Sequence, residues 1–233
     1  MMGWCNMSSE NHFLALRLEG PLQSWGFDSQ YNRRNTGLMP TKSGVAGICC
    51  AALGLPRGSH DEHEFLSMFC STKMTAIAIP KNRGEKKDLS VRRLQDYHTV
   101  QNTRRAGGAI NNDCVLTYRQ YLTDAVFGVV IEGEQALLNQ ISTALIDPKW
   151  GVWLGRKSCI PSAPVFAGLK NKLNDALELL IGEKHLEEFT WQGEVENFSE
   201  GRDSLPDSPV SFATEKRTFA PRRVHIHHAT NIG

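Results

Sequence analysis

The 233-residue sequence predicts an α+β fold: a ferredoxin-like (RRM-like, βαββαβ) core, a basic thumb inserted between its second and third strands, and a small β-rich C-terminal region. Three observations predict it. Apolar runs of strand and helix period follow one another as strand, helix, strand, then strand, helix and a fourth strand. Between the two halves, from Lys81 to about Asn112, apolar content collapses and cations accumulate. After residue 170 one more helical run precedes two alternating runs.

Phe13 to Leu18 alternates and reads as the first strand, and Val45 to Leu53, rich in Ala and Cys with Gly54 and Pro56 behind it, reads as a buried helix. Ser59 to Cys70 is a short amphipathic helix with acidic residues in its first turn, where the helix dipole favours them. Met74 to Ile79, closed by Pro80, is the second strand. Beyond the insertion, Tyr118 to Leu122 begins a strand, Ala125 to Ile131 is strongly strand-like, and Glu134 to Leu145 is a helix stopped by Asp147-Pro148. Asn171 to Leu180 is helical, Gly193 to Pro209 reads as polar and turn-rich, and Val210 to Phe219 and Val224 to His228 read as strands. The expected organisation is a frayed terminus at 1–12, a ferredoxin-like core at 13–169 with the inserted thumb at about 81–117, and a C-terminal helix and small β region at 170–233.

The formal net charge of +1 and pI of about 7.7 exclude a broadly basic nucleic-acid coat, so a polyanion must be held by local patches. Six cysteines make no C-x-x-C pair and read as small buried hydrophobes in a reducing cytosol. The N-terminus lacks a signal-peptide pattern and no apolar run reaches the roughly 18 residues that span a bilayer, so a cytoplasmic protein without a membrane partner is expected.

Several cationic elements could carry function. Thr41, Lys42 and Ser43 open a helix, where free N–H groups and the dipole favour an anion. The alternative is a plain cap with a solvated lysine. Thr41 stands where a P-loop needs glycine, which argues against an NTPase. In the insertion, Arg92, Arg93, Arg104 and Arg105 surround Tyr97 and His98, giving charge for phosphates and a flat face for unstacked bases, or else a solvated loop. Gly155-Arg156-Lys157-Ser158 follows a turn containing Trp150 and Trp153, and Arg217, Arg222 and Arg223 form a late cluster. His225, His227 and His228 invite a metal reading, but no nearby Asp, Glu or Cys completes a ligand set; neither a metal nor another cofactor is expected. His98 beside Tyr97 could in principle serve general acid–base cleavage of RNA.

Five ordered blocks add a resemblance. They are Leu-x-Gly-Pro-Leu-Gln-Ser-Trp-Gly ending at Gly26, Pro-Thr-Lys-Ser-Gly followed by Ala-Ala-Leu-Gly, Asp96 to Val100, Tyr118 to Phe127, and Leu154 to Pro161. In this order the chain resembles the CasD family, the Cascade subunit of type I-E CRISPR systems, from about Phe13 to Phe166, with a looser echo from Arg217 to Arg222. The resemblance implies a non-catalytic subunit that caps the 5′ handle of the crRNA. Its partners would be the backbone subunit, met through the thumb, the large subunit and, through the complex, target DNA. The candidate RNA-binding residues are Gln23, Trp25, Lys42, Ser43, Arg92, Arg93, Tyr97, His98, Arg104, Arg105, Arg119, Arg156, Lys157, Ser158 and Arg222. The alternative is a metal-independent endoribonuclease acting on precursor RNA, as a related subunit does in type I-C systems.

Overall fold

The computed structural model describes residues 11–26, 28–29, 32–83, 86–88, 91–104, 107–111, 113–197 and 199–229, with backbone alone at 82, 83 and 86–88. Most of the expected frayed terminus and Arg105 therefore lie outside the described residues. The first strand, β1 (Asn11–Glu19), leads through two short strands, β2 (Leu22–Gln23) and β3 (Arg33–Arg34), to helices α1 (Lys42–Leu53) and α2 (His60–Cys70). Then come β4 (Lys73–Ala78), a small hairpin of β5 (Lys81–Arg83) and β6 (Lys86–Asp88), and the long strands β7 (Arg92–Val100), β8 (Val115–Thr123) and β9 (Val126–Glu134). Helix α3 (Gln135–Ile146), β10 (Phe166–Lys170), α4 (Leu173–Ile181), β11 (Thr190–Glu194), β12 (Asp203–Ser211) and β13 (Thr218–His227) complete the chain.

Local chemistry sets the helix ends. The Thr41 hydroxyl accepts from the Gly44 amide at 3.2 Å, and Gly54 ends α1 in the left-handed conformation, φ +71°. Ser59 caps α2 by accepting from the Glu62 amide at 3.1 Å, with Asp61 and Glu62 in the first turn.

The main sheet has seven strands in the order β10-β1-β9-β4-β11-β13-β12, and each neighbouring pair is antiparallel. Alternation gives it two buried faces. Leu14, Leu16 and Leu18 of β1, Met74 and Ala76 of β4, and Phe127, Val129 and Ile131 of β9 join the core formed with α1, α2 and α3. On the other face Ala15, Ile77 and Val130 pack with Ala176, Leu177, Leu180 and Ile181 of α4. Gly128 allows this approach, since a Cβ there would stand 3.0 Å from Leu180 Cδ1. Burial pushes the Cys49 and Cys50 thiols up, Cys50 to about 12, which leaves both as inert packing groups.

The structure corrects three expectations. The C-terminal strands are no separate small sheet: β11 pairs with β4 and carries β13 and β12 on the same sheet. The stretch Gly193 to Pro209, read as turns, holds the end of β11 and most of β12, whose prolines 206 and 209 are tolerated because β12 is the edge strand and its pairing is irregular there. Tyr118 to Leu122 belongs to β8, which pairs with β7 over nine residue pairs outside the main sheet. The insertion thus contains a twisted ribbon about 30 Å long, with β2 and β3 beside its base.

A buried ionic network joins α1 to the C-terminal strands. Lys42 is fully buried, and its Nζ donates to the Cys70 and Thr72 carbonyls and to both Glu194 carboxylate oxygens at 2.9 and 3.0 Å. Asp207 accepts the Lys42 amide at 2.9 Å and is clasped by Arg222, Nε–Oδ1 2.6 Å and Nη2–Oδ2 3.0 Å. Removing one member of such a network leaves its partner charge buried, which costs about 3–5 kcal/mol. Lys42→Met should lower unfolding stability by that amount in urea titration, and Lys42→Met combined with Glu194→Leu should lose less than the two single changes summed. Additive losses would mean the pair is not coupled.

Candidate nucleic-acid interface

The candidate residues separate into those that build the site and those that face it. After β1 the chain turns at Gly20, and Gln23 is locked in place. Its Nε2 donates to the Leu18 and Ala125 carbonyls at 3.0 and 2.7 Å, and its Oε1 accepts from Trp25 Nε1 at 3.1 Å. Trp25 is fully buried under α1, where Gly44 rides on the indole so closely that a Cβ would lie 2.8 Å from Cε3. Gln23, Trp25, Lys42 and Arg222 are therefore corrected from RNA contacts to interior supports, because each is 5% exposed or less and the hydrogen bonds they make go to groups inside the protein.

These supports fix a groove of about 1010 Å³ at the N-terminal end of α1. Ser43, Arg156 and Lys157 line it, and Arg34, Arg57 and Arg217 join them from distant parts of the chain. Among the described residues lining it are five cations and one carboxylate, Glu62, whose Oε2 already accepts the Gly58 and Phe212 amides. Trp150 and Trp153, on the loop after α3, and Phe219 of β13 give the groove half-exposed aromatic faces. The single letters Arg34, Arg57 and Phe219 carry no motif, so only the fold could assemble them.

Arg156 has two tasks. Its Nη1 donates to the Gln120 carbonyl at 3.0 Å, its Nη2 to the Arg34 carbonyl at 2.7 Å, and the guanidinium lies 4.7 Å from the centre of the Tyr121 ring. It thereby ties the glycine loop to the root of the ribbon while its positive charge stays on the groove wall. Gly155 beside it has φ +101°, and a Cβ there would fall 1.8 Å from the Ser24 carbonyl oxygen, so only glycine fits between the two loops. Lys157 and Ser158 next to it are exposed.

On the ribbon, successive side chains leave opposite faces. Arg93, Gln95, Tyr97 and Thr99 share one face with Tyr118; the Tyr97 and Tyr118 rings are 5.3 Å apart, and Arg33 lies 5.8 Å from the Tyr118 ring centre. Tyr97 is 56% exposed, so this stack offers an open aromatic platform. Arg92, His98 and Arg119 leave the other face; His98 Nδ1 lies 3.5 Å from Asp96, and Arg119 Nε donates to Thr117 at 3.1 Å. Tyr97 and His98 thus do not converge as an acid–base pair. Arg104 bridges to Ile110 near the ribbon tip and is exposed. The late histidines do other work: Trp191 packs between His225 and His227, with centroids 5.3 and 5.8 Å away, and His227 Nε2 lies 3.0 Å from the Glu187 carbonyl. Among the described residues no group of three or more His, Cys, Asp or Glu has metal-binding geometry, and no helix is long and apolar enough to cross a membrane.

If the groove holds a single strand, Lys157→Ala with Arg217→Ala should weaken RNA binding and flatten its dependence on log salt by about 0.7 for each phosphate left without its cation. Fluorescence anisotropy across a salt series checks this, and an unchanged slope would remove both residues from the interface.

Known proteins share this architecture and sequence. The curated CRISPR system Cascade subunit CasD of Escherichia coli (strain K12) is 32% identical over 160 residues, covering 67% of this chain and 70% of that protein. A solved chain of a CRISPR RNA-guided surveillance complex superposes with a TM-score of 0.70 at 27% identity, over 92% of this chain and 88% of its own. A crystal structure of a Cas protein superposes with a TM-score of 0.63 at 32% identity, over 93% and 94%. With a family model matched across residues 13–225, from β1 through nearly all of β13, the chain belongs to the CRISPR-associated protein (Cas_Cas5) family.

Proposed function

We propose that this chain is a non-catalytic subunit of a type I-E Cascade surveillance complex that binds and caps the 5′ handle of the crRNA. The observation that carries the reading is the cationic, tryptophan-edged groove at the start of α1, backed by an ionic network that spends its own charges internally. Phosphates meet arginines and lysine there, and bases meet Trp150 and Trp153. The four strands β10-β1-β9-β4 run in the order fourth, first, third, second, which we take as the ferredoxin-like core. The ribbon of β7 and β8 is the thumb; its Tyr97 platform and Arg93 reach RNA or the adjoining backbone subunit. Target DNA is engaged through the assembled complex. The role of the Escherichia coli relative as a Cascade subunit supports this assignment.

The reading predicts binding without cleavage. Purified chain mixed with labelled repeat RNA in EDTA should give a shifted, intact complex on a gel, and one defined cut would make it the processing ribonuclease instead. Tyr97→Ala should weaken binding of an RNA long enough to reach the thumb by about 1–3 kcal/mol, the worth of one stacked base. A short RNA confined to the groove should bind this variant unchanged. Equal loss with both RNAs would place Tyr97 outside the proposed path.

A further inference from the structure

The cationic groove contains one group that a polyanion should not meet. Glu62, in the first turn of α2, is the carboxylate among the described residues lining it, and it is 0% exposed. Amides from two loops hold it: its Oε2 accepts from Gly58 at 2.9 Å and from Phe212, just after β12, at 3.3 Å. Those loops are packed together, since a Cβ on Gly58, which has φ +76°, would stand 3.2 Å from the Ala213 Cβ. The other carboxylate oxygen, Oε1, is buried with no hydrogen-bond partner among the described residues. A carboxylate oxygen can only accept, and one held out of water without a partner is costly, so this oxygen calls for a donor.

With Oε2 turned to the loop amides, Oε1 is the oxygen left for a ligand seated deep in the groove. A phosphate is negative and offers no N–H, so the RNA backbone is the wrong partner for it. Base edges differ. Adenine and cytosine each present an amino group beside a ring-nitrogen acceptor, a donor that a single oxygen can take. Hypoxanthine and uracil put a carbonyl oxygen in that place, which a carboxylate repels. The paired N1–H and N2–H donors of guanine match a carboxylate with both oxygens free, and here one is taken. Trp150 and Trp153, half-exposed on the same groove, offer a face for the ring while its edge meets the wall. We propose that Glu62 is the base-reading residue of the groove, selecting adenine or cytosine at one nucleotide by accepting an exocyclic amino hydrogen at Oε1. The cations hold the strand, and the carboxylate sets which base sits where. The inference deepens the reading of the groove as an RNA site and rests on it.

The test is fluorescence anisotropy of the full chain with short single-stranded RNAs of equal length, oligoadenylate against oligoinosinate and oligocytidylate against oligouridylate. In at least one pair the amino-bearing RNA should bind about tenfold tighter than its deaminated counterpart. The Gly58 and Phe212 amides require an acceptor, so in Glu62→Gln the side-chain carbonyl turns to them and the NH2 takes the place of Oε1. The preference within that pair should then reverse toward the carbonyl base. Oligomers of purine riboside or pyrimidin-2-one riboside lack the amino group without gaining a carbonyl, and they read the same contact in the unaltered chain, whether or not the variant folds. They should bind about tenfold more weakly than the amino-bearing parent. Equal affinity within both pairs, an unchanged preference in folded Glu62→Gln, or full affinity for the amino-free RNAs overturns the base-reading proposal and leaves the groove as an RNA site. Binding of none of these RNAs overturns the groove reading and the proposal with it.

Discussion

The arrangement depends on two cations and two carboxylates held out of water. Lys42 and Arg222 face Glu194 and Asp207 from elements far apart in the chain, and together they join the first turn of α1 to β11, β12 and β13. The Lys42 Nζ also takes up two carbonyls at the end of α2, so its desolvation is offset by hydrogen bonds as well as by charge. Without this clasp the far end of the sheet, where β12 packs on α1 and α2, would lose its registration to the helices. The groove is then the gap between parts that the network positions, and its free cations are the ones the network leaves unused.

The sheet faces explain why a nucleic acid would be met by loops. In an open four-stranded sheet the uncovered face is available for stacking bases, but here α4 lies on it and Ala15, Ile77 and Val130 are buried beneath. The charged side chains instead collect where the loop after β1, the start of α1 and the loop after α3 meet. Gly155 against the Ser24 carbonyl and Gly20 against the Ile160 carbonyl bring those loops into backbone contact, which side chains at either glycine would prevent. Arg156 then couples that junction to the ribbon root, so the groove and thumb share one rigid support.

Much of the fold was legible locally. Thr41 and Gly54 bracket α1, Ser59 marks α2, and the alternation of Phe13 to Leu18 and the unbroken strand-like run Ala125 to Ile131 identify two central strands. β11 was not legible, because Thr190-Trp191-Gln192-Gly193-Glu194 has a glycine and polar positions satisfied only by pairing with β4 and β13. Of the residues that line the groove, Ser43 stands out in the sequence at a helix start, and Arg156 and Lys157 in a glycine-bounded cationic loop. Lys42 was misread for a physical reason: a lysine at a helix start looks like an anion ligand until the carboxylate of Glu194, 152 residues later, is seen to hold it. Gln23 and Trp25 were misread likewise, their polar atoms turning inward to each other and to backbone. Arg34 and Arg57 escaped notice because isolated cations carry no pattern.

The most direct test of the account is ultraviolet crosslinking of the chain to handle RNA, with the adducts located by mass spectrometry. The account predicts adducts at Trp150, Trp153 and Tyr97 and none at the buried Trp25. Adducts confined to Trp191, beside the histidines of β13, with the groove tryptophans unmodified, would contradict it.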